Sequence, residues 1–451
     1  MMQVFPIQAS SPLAPYSTRE LEELEKEFIQ LINRSDSIER NPLANQYINH
    51  LGKSLARFAH IPTPYFFIVK SSEINAFAGP GGYIGINTQL ILATQNESEL
   101  AAVMAHEIAH VRLHHLYAMI EHQKQMRVPM LASLLASIAL GVINPTLGSG
   151  ALMASLSGFD QDGINFTRSK EKEADRIGID MLIKSGQDPR GMAGFFKKMQ
   201  QHTRYYYTAS TPAILRTHPL DEDRIAEAEN RSEHLAKKHY PDNLNYRLFK
   251  EVIRVSVSSD SKHLLDYYHH ECSKRANNSP CQYGRALTFL SINQYQQAQT
   301  ILEPLLNQDH DNLYYQIAIA QSEIGTKQYD AALKRLSSLQ ANYPENYAAL
   351  MAYAQGLLAA GKAEQAASIL LKGSRQYKQD LVLCEELAQA QAAAHRKSYA
   401  YFTEAQCQLL QGRKRDAVRQ LKLAKTLAKN DNYLQARINA MIDDIKFLSE
   451  S

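Results

Sequence analysis

The sequence has no tryptophan and only four cysteines among its 451 residues. All four, Cys272, Cys281, Cys384 and Cys407, lie in the second half, so a cysteine-ligated metal site in the first half is excluded. An even number of cysteines permits disulfides in an oxidising compartment but does not require them. Cys272 and Cys281 flank a short turn, and Cys384 and Cys407 lie on neighbouring predicted helices, so both pairs remain candidates.

A strong excess of charge of either sign is also lacking. The chain has 49 Lys and Arg against 46 Asp and Glu, which is a formal net charge of +3. No nucleic-acid-binding motif is visible, and we expect no nucleic-acid partner. Residues 396–429 concentrate nine Lys or Arg with two acids. This segment is either a set of solvated helix faces or a docking surface for an acidic partner or anionic headgroups.

No hydrophobic run is long enough to cross a bilayer. The longest, VPMLASLLASIALGVI, has 16 residues and ends at Asn144-Pro145, whereas a spanning helix needs about 20. It lies within residues 128–159, which carry no charge. These residues form either helices buried against the rest of the domain or a surface hairpin that touches membrane or an unfolded client. No signal peptide is visible at the N-terminus, which fits a cytosolic protein or the mature form of an exported one.

The first part of the chain mixes helices with a small sheet. STRELEELEKEFIQLINR predicts a helix capped by Ser17, and a second helix follows. YFFIVKS and INAFAGPGGYIGIN predict short strands with a turn at Gly81-Gly82. A helix over ESELAAVMAHEIAHVRLHHLYAMI comes next, with Asn96 as its N-cap and Glu99 at the capping-box position.

The second part of the chain is helical and repetitive. Ala286 recurs at Ala320 and Ala354, and Tyr295 recurs at Tyr329, each time after 34 residues. This period resembles that of tetratricopeptide repeats, whose stacked helix pairs usually bind peptides or protein partners. The spacing departs from 34 near LVLCEELAQAQAAA, where we expect an irregular repeat. We predict two domains, residues 1–240 and 241–451.

The stretch AHEIAHVRLHH contains the pattern H-E-x-x-H. On a helix His106 and His110 share one face, so that two imidazoles can reach one ion. Glu107 lies beside that ion, where a carboxylate can take a proton from a water. His114 and His115 lie too far along the helix to join the same ion, and we predict that they are polar-face residues or supports of the ligands.

A catalytic zinc site needs a third protein ligand. FTRSKEKEADRIGIDML offers Glu171, Glu173 and Asp175 at the predicted start of an amphipathic helix. Glu171 and Asp175 share a face, so one can bind the ion while the other hydrogen-bonds a ligand histidine. The alternative is a solvated acidic helix start, which the helix dipole favours.

These motifs, with INAFAGPGGYIGIN before them and THPLDEDRI after them, resemble the M48 family of zinc metallopeptidases. The resemblance implies one Zn²⁺ per chain held by His106, His110 and Glu171, with Glu107 as general base and Asp175 behind a ligand histidine. It implies an α+β, mainly helical fold, in which a zincin-like domain with a small sheet precedes an all-α tetratricopeptide-repeat solenoid. Members of the membrane branch carry several spanning helices, which this sequence lacks.

His218 and Arg224 match the family's His-Pro and the Arg that follows it. His218 would either stabilise the oxyanion or occupy the open metal position until its loop, within QQHTRYYYTASTPAILR, moves. We also expect GYIGIN to be an exposed edge strand that binds substrate through main-chain bonds.

The resemblance implies a metalloendopeptidase of the Gram-negative periplasm that acts on misfolded or stalled outer-membrane proteins. Its repeats would bind clients or the outer-membrane assembly machinery. Peripheral membrane contact through residues 128–159 is one of the two alternatives that their uncharged sequence leaves open. The alternative is a chaperone or adaptor whose repeats carry the function and whose metal site is held closed. An intact Glu107 argues against a vestigial site, because a pure binding protein does not need the base.

Overall fold

The computed structural model describes residues 18–118, 161–205, 212–233, 239–274 and 278–450. The predictions for Ser17 and for residues 128–159 lie outside the described residues. The chain forms two compact units. One consists of Met1–Ile38 and Asn49–Pro241, and the other of Glu39–Ile48 and Asp242–Ser451.

The elements up to residue 233 combine helices with a small sheet, as the sequence predicts. In chain order they are α1 (Thr18–Arg34), β1 (Ile38–Glu39), α2 (Pro42–Ala56), β2 (Tyr65–Val69), β3 (Ala76–Ala78), a 3₁₀ turn (Pro80–Gly82), β4 (Tyr83–Asn87), α3 (Thr88–Ala93), α4 (Glu97–Arg112), α5 (Gln161–Ser185), α6 (Arg190–Tyr205), α7 (Ala213–Thr217) and α8 (Glu222–Glu233).

The sheet has the strand order β1-β2-β4-β3. β2 pairs with β4 in parallel, with Tyr65 opposite Tyr83, and β3 pairs with β4 antiparallel, with Ala76 opposite Ile86. The prediction that GYIGIN is an edge strand is therefore wrong, because β4 has a partner on each side. Within the described residues the edges of this sheet are β1 and β3.

Gly85 in β4 allows two aromatic rings to lie against the sheet. A Cβ at this position would lie 2.4 Å from the ring of Phe77 and 2.8 Å from the ring of Phe67. Phe67 in turn contacts Phe28 of α1 edge-on, with ring centroids 6.2 Å apart. A side chain at Gly85 would thus separate the sheet from its aromatic core.

Helix α4 lies in the middle of the first unit. Asn96 caps it, and its side chain accepts a hydrogen bond from the backbone N–H of Glu99, as predicted. Residues 98–109 are all buried. The helix ends at Arg112, earlier than predicted, because His114 adopts a left-handed backbone conformation with φ 52°. The segment with the H-E-x-x-H pattern is therefore enclosed by other elements.

Two further predictions about this unit need correction. The acidic residues 171–175 lie in the middle of α5 and not at a helix start, so the helix dipole does not explain them. The segment QQHTRYYYTASTPAILR is not wholly a loop, because it begins in α6 and ends in α7. The residues between these two helices lie outside the described part.

The second unit contains antiparallel helix pairs on a regular spacing. Helices begin at Ser279, Leu313, Tyr347 and Leu381, each 34 residues after the previous one. The helices are α9 (Leu244–Val257), α10 (Ser261–Ser273), α11 (Ser279–Ser291), α12 (Tyr295–Gln308), α13 (Leu313–Gly325), α14 (Tyr329–Asn342), α15 (Tyr347–Ala359), α16 (Ala363–Gln376), α17 (Leu381–Ala393), α18 (Lys397–Leu410), α19 (Lys414–Leu427) and α20 (Asn432–Glu450).

The predicted irregularity is displaced. Leu381 and Lys397 both keep the 34-residue register, so the segment LVLCEELAQAQAAA is regular. The 34-residue register changes after α18. A turn of three residues joins α18 to α19, and this is the turn length found between the two helices of one pair. Helix α18 thus packs against both α17 and α19. The prediction of an α+β, mainly helical fold followed by an all-α repeat array is confirmed.

Both candidate cysteine pairs form disulfides, Cys272–Cys281 between α10 and α11 and Cys384–Cys407 between α17 and α18. Each bond joins two helices that are consecutive in the chain. Across the described ranges, we find no helix with the length and hydropathy to cross a bilayer.

Candidate active site

His106 and His110 lie one turn apart on α4 and point into the same space. Their Nε2 atoms are 2.9 Å apart. His106 is 6% exposed, and His110 is only partly exposed. Buried polar nitrogens need a hydrogen-bonding partner or a metal ion. Around these two imidazoles, the next polar side chains come from other elements of the fold.

Glu171 of α5 is the carboxylate that meets both histidines. Its Oε2 lies 3.2 Å from Nε2 of His106, and its Oε1 lies 3.4 Å from Nε2 of His110. Glu173 points elsewhere, and its Oε2 lies 3.6 Å from Nε2 of His115. Of the two candidate glutamates, Glu171 is the one that the fold brings to the histidine pair.

His218, which follows α7, completes the cluster. Its Nδ1 lies 3.3 Å from Nε2 of His106 and 3.0 Å from Oε1 of Glu171. The four ligand atoms of His106, His110, Glu171 and His218 all lie within 4.8 Å of one another. Zinc bonds of about 2.0–2.1 Å in a tetrahedron place ligand atoms ~3.3 Å apart. The separations among His106, His110 and Glu171, which are 2.9–3.4 Å, therefore fit a zinc-sized cation.

A buried ion-pair network lies behind these ligands. Nδ1 of His106 is 2.9 Å from Oδ1 of Asp175. Arg224 donates two hydrogen bonds to Asp175, of 2.7 and 2.8 Å, and its Nη1 lies 3.1 Å from Oε2 of Glu171. Arg224 also donates to the carbonyl of Pro219, next to His218. The side chain of Arg224 is 1% exposed, and its guanidinium orients the two carboxylates.

The carboxylates of the cluster favour the protonated, positively charged forms of His106 and His218. Burial lowers the pKa of His106, but hydrogen bonds to Asp175 and Glu171 outweigh burial and raise this pKa to about 10. Burial raises the pKa of Glu171, but the positive charge of His218 and hydrogen bonds from His106 and His218 hold it well below its ordinary value. For His110, burial dominates and lowers the pKa. An ionised Glu171 beside a neutral His110 is the state that binds a metal cation.

His115 is also buried and close to a ligand residue. Its Nδ1 lies 2.9 Å from Nδ1 of His110, and it is 6% exposed. Burial, followed by the positive charge of Lys170, lowers the pKa of His115 to about 4. The imidazole is therefore neutral near pH 7.

Glu107 is 1% exposed, and within the described residues neither of its oxygens has a hydrogen bond of normal geometry. Burial raises its pKa, against the charges of His218 and His106. Nε2 of His218 lies 3.5 Å from Oε1 of Glu107. A cavity of about 30 Å³ adjoins these groups, which is room for one or two waters. Apolar side chains line most of it, namely Val103, Met192, Phe195, Phe196, Met199, Ile214, Leu215 and Leu220.

The fold thus brings together seven residues that the sequence singles out, whereas Glu173 lies toward His115. His106, Glu107 and His110 come from one helix, Glu171 and Asp175 from a second, and His218 and Arg224 from the segment after α7. Sequence reasoning did not place His115 against His110. The sequence signal for this contact was the presence of a histidine just beyond the H-E-x-x-H pattern. The position of the His115 side chain depends on the turn at His114.

The chain is similar to known proteins along most of its length. Residues 42–232 match the family described as Peptidase family M48. The β-barrel assembly-enhancing protease of Escherichia coli (strain K12) is 34% identical over 427 residues, covering 94% of this chain and 87% of that protein. The putative β-barrel assembly-enhancing protease of Vibrio cholerae is 37% identical over 298 residues, covering 65% and 61%.

A more distant relative matches only in part. The metalloprotease YcaL of Escherichia coli is 28% identical over 190 residues, covering 39% of this chain and 70% of that protein. Since a relative that is 34% identical aligns with nearly the whole chain, and since the matched region contains the complete histidine and carboxylate cluster, this chain belongs to peptidase family M48 and is a metalloprotease.

Proposed function

We propose that this protein is a zinc-dependent metalloendopeptidase of the cell envelope, with one Zn²⁺ per chain. The observation that carries the proposal is the convergence of two imidazoles and a carboxylate at tetrahedral spacing beside a buried glutamate, Glu107, whose oxygens make no hydrogen bond of normal geometry within the described residues. A cation would balance the ionised Glu171, and a water placed there would give Glu107 a hydrogen bond of normal geometry.

The residues divide into three roles. His106, His110 and Glu171 hold the metal. A bound zinc ion would polarise the scissile carbonyl and lower the pKa of a water. Glu107 takes the proton of the attacking water and passes it to the leaving amine. The raised pKa of Glu107 suits both steps, since it brings the pKa of the carboxyl nearer to neutrality.

Asp175 and Arg224 act behind these groups. Asp175 holds the ring of His106 through Nδ1, and Arg224 holds Asp175 and Glu171 together. Such groups fix the tautomer and the orientation of metal ligands. Neither residue touches substrate in this proposal.

Strand β3 is the edge that would hold a substrate in extended form. Asn75 accepts a hydrogen bond from Asn87, and Gly79 donates one to Tyr83. In an antiparallel pair the residues between such positions direct their N–H and C=O groups away from the partner strand. Ala78 is one of these residues, is partly exposed, and has its backbone N–H near Glu107. Main-chain pairing there tolerates many substrate sequences.

His218 would hold the resting enzyme closed. Its Nδ1 stands at the fourth position of the ligand cluster, and its Nε2 faces Glu107. The small adjoining cavity leaves no room for a substrate side chain. Helix α7 is hydrogen-bonded to the segment just before β3, because the backbone N–H of Ile214 donates to the carbonyl of Ile74. Opening therefore requires α7 to move away from β3.

The variant His218→Ala tests this closed state against oxyanion stabilisation. If His218 blocks the site, proteolysis of casein rises several-fold, because the fourth position and Glu107 become accessible. If His218 stabilises the oxyanion, proteolysis falls by ~10²–10³-fold. An unchanged rate would contradict both roles. His114→Asn, which removes an exposed histidine, is the matched control.

The clients and the compartment come from the relatives. The name of the Escherichia coli relative, β-barrel assembly-enhancing protease, supports a role in the assembly of β-barrel proteins, and we propose misfolded or stalled outer-membrane proteins in the periplasm as clients. Two disulfides fit that oxidising compartment. The repeat array would bind clients or the assembly machinery, and residues 128–159 would contact membrane peripherally.

A second candidate function is that of a chaperone or adaptor. The placement of His218 at the ligand cluster favours it, since a closed site leaves the repeat array as the working part. Glu107 argues for catalysis, because a binding protein gains nothing from a buried carboxylate that makes no hydrogen bond of normal geometry.

The test is metal content by mass spectrometry, paired with casein cleavage, for wild type, Glu107→Gln and Glu171→Ala. We expect one zinc in wild type, retained zinc without cleavage in Glu107→Gln, and lost zinc in Glu171→Ala. Asp180→Ala, which removes an exposed acid from the same helix, keeps both properties. A wild type that lacks zinc, or that cleaves no better than Glu107→Gln, would favour the chaperone.

A further inference from the structure

His115 reaches His110 only because α4 stops early. In a continuing helix, residues five positions apart point about 140° away from each other. Here the helix ends at Arg112, and His114 turns the chain with φ 52°. The turn brings the two rings to a centroid distance of 4.9 Å, nearly perpendicular at 74°, with their Nδ1 atoms 2.9 Å apart.

The direction of the proton follows from which nitrogen faces the cluster. Nε2 of His110 points at His106 and Glu171, so it must be unprotonated to hold a cation. The neutral ring then carries its proton on Nδ1, where the described residues offer His115 Nδ1 as acceptor. His115 must therefore carry its own proton on Nε2, on the side of the Glu173 carboxylate.

We infer that His115 is a positioning residue of the metal site, which accepts a hydrogen bond from His110 Nδ1 and holds the metal-binding nitrogen of that ring in place. It does for His110 what Asp175 does for His106. This inference rests on the proposed zinc site. Partners of this kind raise metal affinity by about 10–100-fold.

Glu173 supports His115 more loosely. Its carboxylate is 3.6 Å from Nε2 of His115, which is longer than a hydrogen bond, and its side chain is 43% exposed. Removing Glu173 should accordingly affect zinc affinity less than removing the acceptor on His115.

Two variants separate hydrogen bonding from packing. His115→Phe keeps a ring of similar size but has no acceptor. His115→Asn loses the ring but places its Oδ1 near the position of the histidine Nδ1, where it can accept from His110. A role in packing predicts that Phe is tolerated and Asn is not, and a hydrogen-bonding role predicts the reverse.

The experiment measures the zinc dissociation constant of the full chain by competition with a chromophoric chelator. The absorption spectrum of the Co²⁺-substituted protein is recorded alongside it. We expect His115→Phe to bind zinc ~10–100-fold more weakly than wild type, with an altered Co²⁺ spectrum. His115→Asn should stay within a few-fold of wild type, and Glu173→Gln should lie between. The control His114→Asn keeps the turn, since Asn tolerates a left-handed conformation, and should match wild type.

Each outcome has a distinct meaning. If wild type binds zinc and His115→Phe binds it equally well, the inference about His115 is wrong and the proposed metal site stands. The same holds if Phe and Asn weaken binding equally. If wild type itself binds no zinc, the proposed function fails, and the role of His115 fails with it.

Discussion

At the scale of single residues, the buried pair of Asp175 and Arg224 decides how firmly the site is held. Asp175 is 5% exposed and Arg224 is 2% exposed. Burial alone would raise the pKa of Asp175, but hydrogen bonds from His106 and Arg224 outweigh it and lower this pKa below its ordinary value of 3.8. The ionised form is thus favoured in the folded protein, and its stabilisation depends on pH.

We predict that Asp175→Asn lowers the free energy of unfolding by about 3–5 kcal/mol at neutral pH, because Arg224 loses its charged partner. A depressed pKa in the folded state gives stabilisation that is complete above the unfolded pKa. It is lost as the pH falls through the folded pKa. The difference between wild type and Asp175→Asn should therefore shrink as the pH falls below about 3.8.

Urea unfolding of the chelator-treated proteins between pH 3 and 7 measures this difference without a contribution from metal. A difference that stays constant across the range would show that the charge of Asp175 is not what stabilises the fold. Glu227, which pairs with Arg176 on the surface, offers a control. Glu227→Gln should change the free energy of unfolding by less than about 1 kcal/mol.

At the scale of elements, β3 links the sheet to helix α4. It packs against α4 on one side and pairs with β4 on the other. Its backbone groups at Ala78 point away from β4, so a substitution there can remove an N–H without breaking the sheet.

We predict that Ala78→Pro lowers kcat/KM for peptide substrates by at least about tenfold, because it removes the backbone N–H that faces Glu107 and the open edge of β3, where a substrate strand would pair. Zinc content and thermal stability should change little. Ala78→Val, which is similar in size and keeps the N–H, is the matched control. Equal activity of the two variants would show that β3 does not pair with substrate. The assay is best run in a His218→Ala background, where the site is open.

At the scale of the whole molecule, the described covalent cross-links all belong to the second unit. The disulfide Cys272–Cys281 encloses a separation of 9 residues, and Cys384–Cys407 one of 23. The first unit has no cysteine and would be stabilised by its bound ion instead.

We predict that reduction destabilises the repeat array by about 2–4 kcal/mol per disulfide, while α4 stays protected. Hydrogen exchange with mass spectrometry on the full chain, with and without dithiothreitol, should show faster exchange in peptides from α10, α11, α17 and α18. Chelation of the metal should show the opposite pattern, with faster exchange in α4 and α5. Equal acceleration everywhere under reduction would contradict separate sources of stability.

The sequence by itself determined whatever depends on neighbours within one element. His106 and His110 share a face because they are four residues apart on a helix, and Asn96 caps that helix through a local hydrogen bond. The 34-residue register predicts helix pairs because each repeat is built from contacts along a short stretch of chain.

Only the tertiary structure decided relations between elements distant in the chain. Whether Glu171 or Glu173 meets the histidines depends on the rotation of α5 against α4, and which strand lies at the edge depends on the pairing of β2 with β4. The position of His115 depends on where α4 stops. Local periodicity specifies a face, whereas packing across the core specifies what that face meets.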